Sequence, residues 1–162
     1  INTFSKSLTS TIRISYMVLP KSLMERYNKE LSFYSCTVSN FEQYTLAKFI
    51  EQGYLEKHIN RMRNHYRNIR DDILENIKKA LGKKKGKIME EDAGLHFLLQ
   101  ISTDLTDKEL ISRAAKNGIN ISCLSQYYYD QANAIKNTLI INYSGVNPDN
   151  IEEGIKRLFQ CF

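Results

Sequence analysis

The clearest hydrophobic pattern in this chain begins near Tyr54 and extends to Leu81. Apolar side chains recur there at intervals of three and four residues, which is the spacing of one face of an α-helix. They are Leu55, Ile59, Met62, Tyr66, Ile69, Ile73, Ile77 and Leu81. Gly82 follows directly, and glycine is the residue that most often ends a helix. The pattern therefore predicts one long amphipathic helix.

The residues before this helix predict one strand and two shorter helices. Apolar and polar side chains alternate over residues 12–19, as expected for a strand, and a proline ends the alternation. Residues 20–31 carry a helical stripe that begins at this proline. Ser39 stands three residues before Glu42, which is the spacing of a capping box. A second helix is therefore expected from residue 40 to about Gly53.

The last third of the chain predicts elements in the order β-β-α-β-β-α. The strands are expected at residues 87–90, 95–101, 119–123 and 138–143. One helix is expected to begin after Thr106, which has a glutamate three residues later, and the closing helix with Pro148 in its first turn. This order predicts a sheet packed by helices, so the chain as a whole is expected to be a mixed α/β protein.

The composition and the net charge are those of an ordinary globular protein. The chain has 162 residues, of which 42% are apolar, and its net charge of +5 comes from 23 basic and 18 acidic side chains. The basic residues include five on the long helix: Lys57, Arg61, Arg63, Arg67 and Arg70. A basic helix face is found in nucleic-acid binders, but it is more often a solvated surface, which is the interpretation adopted for this helix.

The cysteines and the N-terminus indicate a cytoplasmic protein. Cys36, Cys123 and Cys161 are far apart and form no CxxC pair, which is typical of free thiols in a reducing compartment. The N-terminus is polar and lacks the apolar core of a signal peptide. No apolar run approaches the roughly 20 residues that a membrane span needs. The chain begins at Ile1 without a methionine, and we expect it to be the C-terminal part of a longer polypeptide.

The candidate chemistry lies in the first line of the sequence. Thr3, Ser5 and Lys6 are followed seven residues later by Arg13. A lysine can form a Schiff base with a carbonyl partner. A phosphorylated aldehyde would also need hydroxyl donors and a fixed cation for its phosphate. These four residues could supply that set, although a lysine between serines is also typical of a solvated loop.

The other reactive side chains indicate little chemistry. His58 and His65 are seven residues apart on the long helix, whereas a zinc pair on a helix needs a spacing of three or four. No metal site is therefore expected. Cys123 has no neighbouring base in the sequence, so a nucleophilic role has little support.

Three parts of the sequence resemble known families. Residues 3–6 (Thr-Phe-Ser-Lys), with Arg13 and residues 16–20, resemble the cofactor-lysine segment of the fold-type I aminotransferases, which are pyridoxal 5′-phosphate enzymes. Residues 46–71 are similar to the interdomain helix of the MocR subfamily of GntR transcriptional regulators. Those regulators join a winged helix-turn-helix DNA-binding domain to an aminotransferase-like domain. Residues 92–96 and 142–155 are similar to the C-terminal lobe of the same subfamily.

The resemblance implies a C-terminal fragment of the fold-type I pyridoxal phosphate-dependent transferase fold. Residues 1–40 would be a remnant of the large cofactor-binding domain. Residues 41–162 would form the interdomain helix and the small domain. Lys6 would be the Schiff-base lysine, and Thr3, Ser5 and Arg13 would bind the phosphate of pyridoxal 5′-phosphate.

The function implied by the resemblance is that of an effector domain in a GntR/MocR-type regulator. A small-molecule effector or amino acid would be its ligand, a missing N-terminal domain would bind DNA, and the complete protein would be a homodimer. One alternative is a piece of a free-standing aminotransferase, and another is a pseudo-enzyme lobe that keeps only the fold. Relatives that handle amino acids often carry a carboxylate-binding arginine near residues 142–145, and none stands in that segment. This chain alone is expected to be neither a competent transaminase nor a DNA binder.

Overall fold

A computed structural model describes residues 1–82, 86–92 and 94–162 of the chain, with the side chain of Lys6 outside the described part. The chain divides into two compact units, Ile1–Arg63 and Asn64–Phe162, here called the N-terminal and C-terminal units. These are geometric units, and the domain boundary at residue 40 remains a prediction. None of the helices in the described residues is both long and apolar enough to cross a bilayer.

The helices and strands follow one another in a mixed order along the chain. The first part contains β1 (Asn2–Thr3), α1 (Phe4–Ser7), β2 (Ser15–Tyr16), α2 (Lys21–Leu31) and α3 (Asn40–Glu51). Helix α4 (Tyr54–Leu81) belongs partly to each unit. The remainder contains β3 (Gly86–Met89), β4 (His96–Ile101), α5 (Asp107–Lys116), β5 (Ser122–Cys123), β6 (Thr138–Asn142) and α6 (Ile151–Phe159). Three short 3₁₀ helices occupy Leu124–Tyr127, Gln131–Asn133 and Pro148–Asn150.

The N-terminal unit has no buried side chain among its described residues. Its exposed side chains include large aromatic ones, among them Phe33, Phe41 and Tyr44, which are exposed by 75%, 80% and 75%. An isolated domain of this size would normally bury such residues. The unit therefore lacks a hydrophobic core of its own.

The C-terminal unit is built on a four-stranded antiparallel sheet with the strand order β3-β4-β6-β5. Side chains alternate across β4, so Phe97, Leu99 and Ile101 are buried, whereas Leu98 and Gln100 on the other face are partly exposed. Leu99 lies opposite Leu139 of β6 in the register. The core also includes side chains from three helices: Ile69, Ile73, Leu74 and Ile77 of α4, Leu110 of α5, and Ile151, Ile155, Leu158 and Phe159 of α6.

The structure confirms the predicted long helix and the β-β-α-β-β-α order. Helix α3 begins where its capping residues predict, because Ser39 Oγ accepts a hydrogen bond from the Glu42 amide at 3.3 Å. The same holds for α5, in which Thr106 and Glu109 form a complete capping box. Capping residues in the sequence thus predicted correctly where α3 and α5 begin.

Three predicted boundaries were wrong. The strand expected over residues 12–19 is paired only at Ser15–Tyr16, because its partner β1 is just two residues long. The strand expected from residue 119 begins at Ser122, since the Ile119 amide is used at the end of α5, where it donates to Ala114 O at 2.8 Å. The closing helix does not start at Pro148, which lies in a 3₁₀ turn; α6 begins at Ile151.

Candidate cofactor-binding segment

Residues 2–16 fold back on themselves at the start of the N-terminal unit. Strands β1 and β2 are antiparallel, with Asn2 opposite Tyr16 and Thr3 opposite Ser15. The Phe4 amide extends this pairing by donating to Ile14 O at 3.0 Å. The rings of Phe4 and Tyr16 lie against each other with their centroids 5.3 Å apart. The two ends of the segment are therefore held side by side.

Two hydroxyl groups are fixed inside this fold-back. Thr3 is the N-cap of α1, and its Oγ1 accepts from the Ser5 amide at 3.3 Å. Ser5 Oγ donates to Ile12 O at 2.7 Å, and Thr3 Oγ1 lies 3.1 Å from Ile14 O, to which it can donate. The carbonyls of Ile12 and Ile14 thus position both hydroxyls. The residue types could not predict these contacts, because every residue carries the same backbone carbonyl.

Arg13 joins the same network through its guanidinium group. Its Nη1 donates to Ser5 Oγ at 3.4 Å. No carboxylate in the described part of the chain lies within ion-pair distance of this side chain. An arginine with no carboxylate partner keeps most of its donors free for an incoming anion.

The structure therefore brings together three of the four residues that the sequence singled out. Thr3, Ser5 and Arg13 form one hydrogen-bonded group, although they span eleven residues of chain. The backbone of Lys6 lies in α1, directly after Ser5. Its side chain is outside the described residues, so the role of its amine remains a prediction. A pair of hydroxyls next to an unpaired guanidinium is suited to binding a phosphate group.

A second group of contacts fixes two turns at one end of the C-terminal sheet. His96 and Asn142 are opposite each other there, and the Tyr143 hydroxyl donates to Gly94 O. The Arg70 guanidinium binds Asp92 at 2.7 Å and Asp71 at 2.9 Å. These bonds, led by the hydrogen bond to Asp71, raise the pKa of Arg70. The guanidinium of Arg70 is thus already engaged by two carboxylates.

Metal binding and nucleophilic cysteine chemistry are the two other kinds of chemistry that concern the remaining side chains that the structure describes. Among residues 1–82, 86–92 and 94–162, no three histidine, cysteine or acidic side chains are grouped so that they could hold a metal ion. Cys123 is buried, and burial, together with Asp107, raises the pKa of its thiol to about 12. A nucleophilic cysteine needs a thiolate, so Cys123 is inert at neutral pH.

Alkylation should distinguish the three cysteines. Treating the native protein with iodoacetamide at about pH 8 is expected to label Cys36, which is exposed, and to leave the buried Cys123 and Cys161 unmodified. Because the folded-state pKa of Cys123 is raised, its thiol stays protonated until the pH approaches about 12. Peptide mass spectrometry measures the outcome, with urea-unfolded protein as the control in which all three react. Rapid labelling of native Cys123 would contradict the burial of this site.

Comparison with known proteins agrees with both resemblances seen in the sequence. The family model described as aminotransferase class I and II matches residues 1–158. An uncharacterized HTH-type transcriptional regulator of Bacillus subtilis, YdeL, is 42% identical over 98% of this chain and 34% of its own length. The probable rhizopine catabolism regulatory protein MocR of Rhizobium meliloti is 29% identical over 100% of this chain and 32% of its own length.

A solved structure places the chain within the same fold. The crystal structure of the kynurenine aminotransferase of Pyrococcus horikoshii is 29% identical, has a TM-score of 0.64, and is matched over 85% of this chain and 32% of its own. The predicted fold class is therefore confirmed as a mixed α/β chain that covers part of the aminotransferase fold. The chain spans about a third of the length of the relatives that it matches. Since the family match extends over residues 1–158, the chain belongs to the class I and II aminotransferase family.

Proposed function

We propose that this chain is the aminotransferase-like effector domain of a GntR/MocR-type transcriptional regulator and that it binds pyridoxal 5′-phosphate. The observation that carries the proposal is the hydrogen-bonded group of Thr3, Ser5 and Arg13, with Lys6 adjacent in the chain. This group lies in a chain that is 42% identical to an HTH-type regulator. It supports a phosphate-binding role, and the similarity to regulators supports the effector role.

The residues of this segment fit the phosphate end of the cofactor. A phosphate dianion accepts several hydrogen bonds, and charge-assisted ones are roughly twice as strong as neutral ones. Thr3 and Ser5 can each turn a hydroxyl hydrogen from a backbone carbonyl toward a bound oxygen. Arg13 can keep its contact with Ser5 while its other N–H groups reach the anion. The three side chains would therefore hold and orient the phosphate.

Lys6 is the residue assigned to covalent attachment. Its neutral amine would condense with the cofactor's aldehyde group and release water, for which the lysine must first lose its proton. When bound, pyridoxal phosphate supplies an electron-withdrawing ring next to the attached carbon. In this proposal the chain holds the phosphate and supplies one amine for covalent attachment.

The lack of a free arginine near residues 142–145, in the described part of the chain, favours the binding of an effector over the turnover of an amino acid. Residues 142–145 contain no arginine, and the neighbouring Arg70 is engaged by Asp71 and Asp92. A bidentate arginine is the usual clamp for a substrate carboxylate, and no other side chain reproduces its geometry. The proposed effector is pyridoxal phosphate, free or joined to an amino compound. DNA would be bound by a helix-turn-helix domain preceding this chain, in a homodimer.

Turnover and DNA binding can be tested on the same protein preparation. The complete protein, saturated with pyridoxal phosphate, is offered a panel of amino acids with 2-oxoglutarate as the acceptor. We expect no transamination above the rate of a Lys6→Ala control. We also expect the affinity for DNA upstream of its own gene to change when pyridoxal phosphate is added, as measured by fluorescence anisotropy. An unchanged affinity, or strong turnover of one amino acid, would count against the regulator proposal.

The second candidate function is that of a free-standing aminotransferase. The specific observation in its favour is the likeness to the kynurenine aminotransferase of Pyrococcus horikoshii, which was solved in complex with PMP, KYN and KYA. In that case the same Lys6 would also move a proton between substrate and cofactor. Robust turnover of a single amino donor is the outcome that would favour this candidate.

A further inference from the structure

The C-terminal unit contains an apolar cavity that the proposed function does not use. It has a volume of about 160 Å³. Most of its lining comes from β6, from residues 119–121 just before β5, and from the helices α4 and α6. Ile73, Ile121, Ile141, Ile155 and Leu158 are among the side chains that line it. An enclosed cavity of about 150 Å³ lined by similar residues binds benzene, and this one has a comparable volume but opens to solvent at Asn120 and Asn150. The space therefore suits one small ring or one branched aliphatic group.

Gly154 contributes an unexplained feature to this cavity. It stands in the middle of α6, where glycine is less favourable than alanine. Its φ is not in the left-handed region, and a Cβ built there would meet no heavy atom within 4 Å. Neither the backbone conformation nor close packing therefore requires a glycine. Because Gly154 lines the cavity, its effect is to keep that wall free of a side chain.

The polar side chains that line this cavity are uncharged amides. Asn120 and Asn150 line it and are exposed, and neither side chain has a hydrogen-bond partner among the described residues. The third amide, that of Asn142, already accepts hydrogen bonds from Ser144 through its Oδ1. No charged residue lines the cavity among the described residues. An ionised ligand would lose hydration without gaining a partner, so the site favours a neutral molecule.

We propose that this cavity is a binding site for a small neutral molecule. Its ligand would have an aromatic or branched aliphatic body on the isoleucine side chains and one hydroxyl, carbonyl or amide group at Asn120 and Asn150. The proposal is independent of the proposed function. Within the described part of the chain, the cavity lining has neither a lysine nor an arginine, so it is not suited to the cofactor phosphate.

The test is a titration of the protein with two neutral probes, phenol and 3-methylbutan-1-ol. Amide chemical shifts measured by NMR are expected to change saturably at Ile121, Ile141 and Gly154. Gly154→Leu fills the cavity and is expected to weaken binding at least tenfold. The matched control is Gly145→Leu. A Cβ built at Gly145 would also meet no heavy atom within 4 Å, and its φ is outside the left-handed region, but Gly145 does not line the cavity. The control is expected to change the affinity less than twofold.

Two outcomes of the titration would overturn the proposal. One is the absence of saturable shifts with both probes, and the other is equal binding by the Gly154→Leu and Gly145→Leu variants. If Gly154→Leu fails to fold, the double variant Asn120→Ala and Asn150→Ala provides a second measurement. It removes only exposed amides, so it should weaken phenol binding and leave benzene binding unchanged. Equal effects on phenol and benzene would show that the amides do not contact the ligand, and this too would refute the assignment.

Discussion

Replacing Lys6 with alanine is expected to abolish the covalent retention of pyridoxal 5′-phosphate on the protein. The reason is chemical, since an imine needs a primary amine and Lys6 supplies one directly after Ser5 in the chain. Wild-type protein is incubated with the cofactor, reduced with borohydride and digested. Peptide mass spectrometry should find the added mass on the peptide that contains Lys6, and the variant should lose this label completely.

Two further variants separate attachment from phosphate binding. Lys21→Ala removes another lysine of the N-terminal unit, at the start of α2, and should keep the full label. Arg13→Ala should still be labelled at saturating cofactor but should need a higher concentration, because it lacks one charge-assisted contact, which is worth about 1.5–3 kcal/mol. That corresponds to roughly 10–150-fold in affinity. Full labelling of Lys6→Ala would remove Lys6 from its assigned role, whereas an unchanged affinity in Arg13→Ala would remove only Arg13.

The cofactor segment illustrates what the sequence can and cannot predict. The residue types and their spacing indicated Thr3, Ser5, Lys6 and Arg13, and the resemblance to fold-type I aminotransferases pointed to the same four. The sequence did not predict that the carbonyls of Ile12 and Ile14 position the hydroxyls. Those contacts depend on the short pairing of β1 with β2, and every residue type carries the same carbonyl. The candidate residues could therefore be proposed from the sequence, but the backbone contacts that hold Thr3 and Ser5 in place could not be predicted from it.

The fold was predictable wherever a signal is local. Helix α4 has a periodic apolar face, and α3 and α5 have capping residues, so these helices were predicted almost to the residue. Strand ends depend on the partner strand and on neighbouring helix ends, which explains the errors before Ser15 and at Ile119. The apolar cavity at Gly154 could not be predicted either, because it is formed by residues far apart in the sequence.

Replacing Leu99 with alanine is expected to lower the free energy of unfolding of the C-terminal unit by about 2–5 kcal/mol, the range for large-to-small changes in a core. Leu99 is fully buried on β4, one of the two central strands of the sheet, and lies opposite Leu139. The alanine variant loses the free energy gained by burying the leucine side chain. The atoms around the new cavity also lose their dispersion contacts with that side chain. A domain has only about 5–15 kcal/mol of stability, so this single change should remove much of it.

Leu98 provides a matched control on the same strand. It has the same side chain, but it points to the opposite face of the sheet and is only partly buried. Less apolar surface is lost there and no closed cavity forms, so Leu98→Ala should cost clearly less than Leu99→Ala. Amide hydrogen exchange of β4 and β6 under native conditions measures both effects within the C-terminal unit. Equal losses for the two variants would show that the core does not lie on the Leu99 face of the sheet.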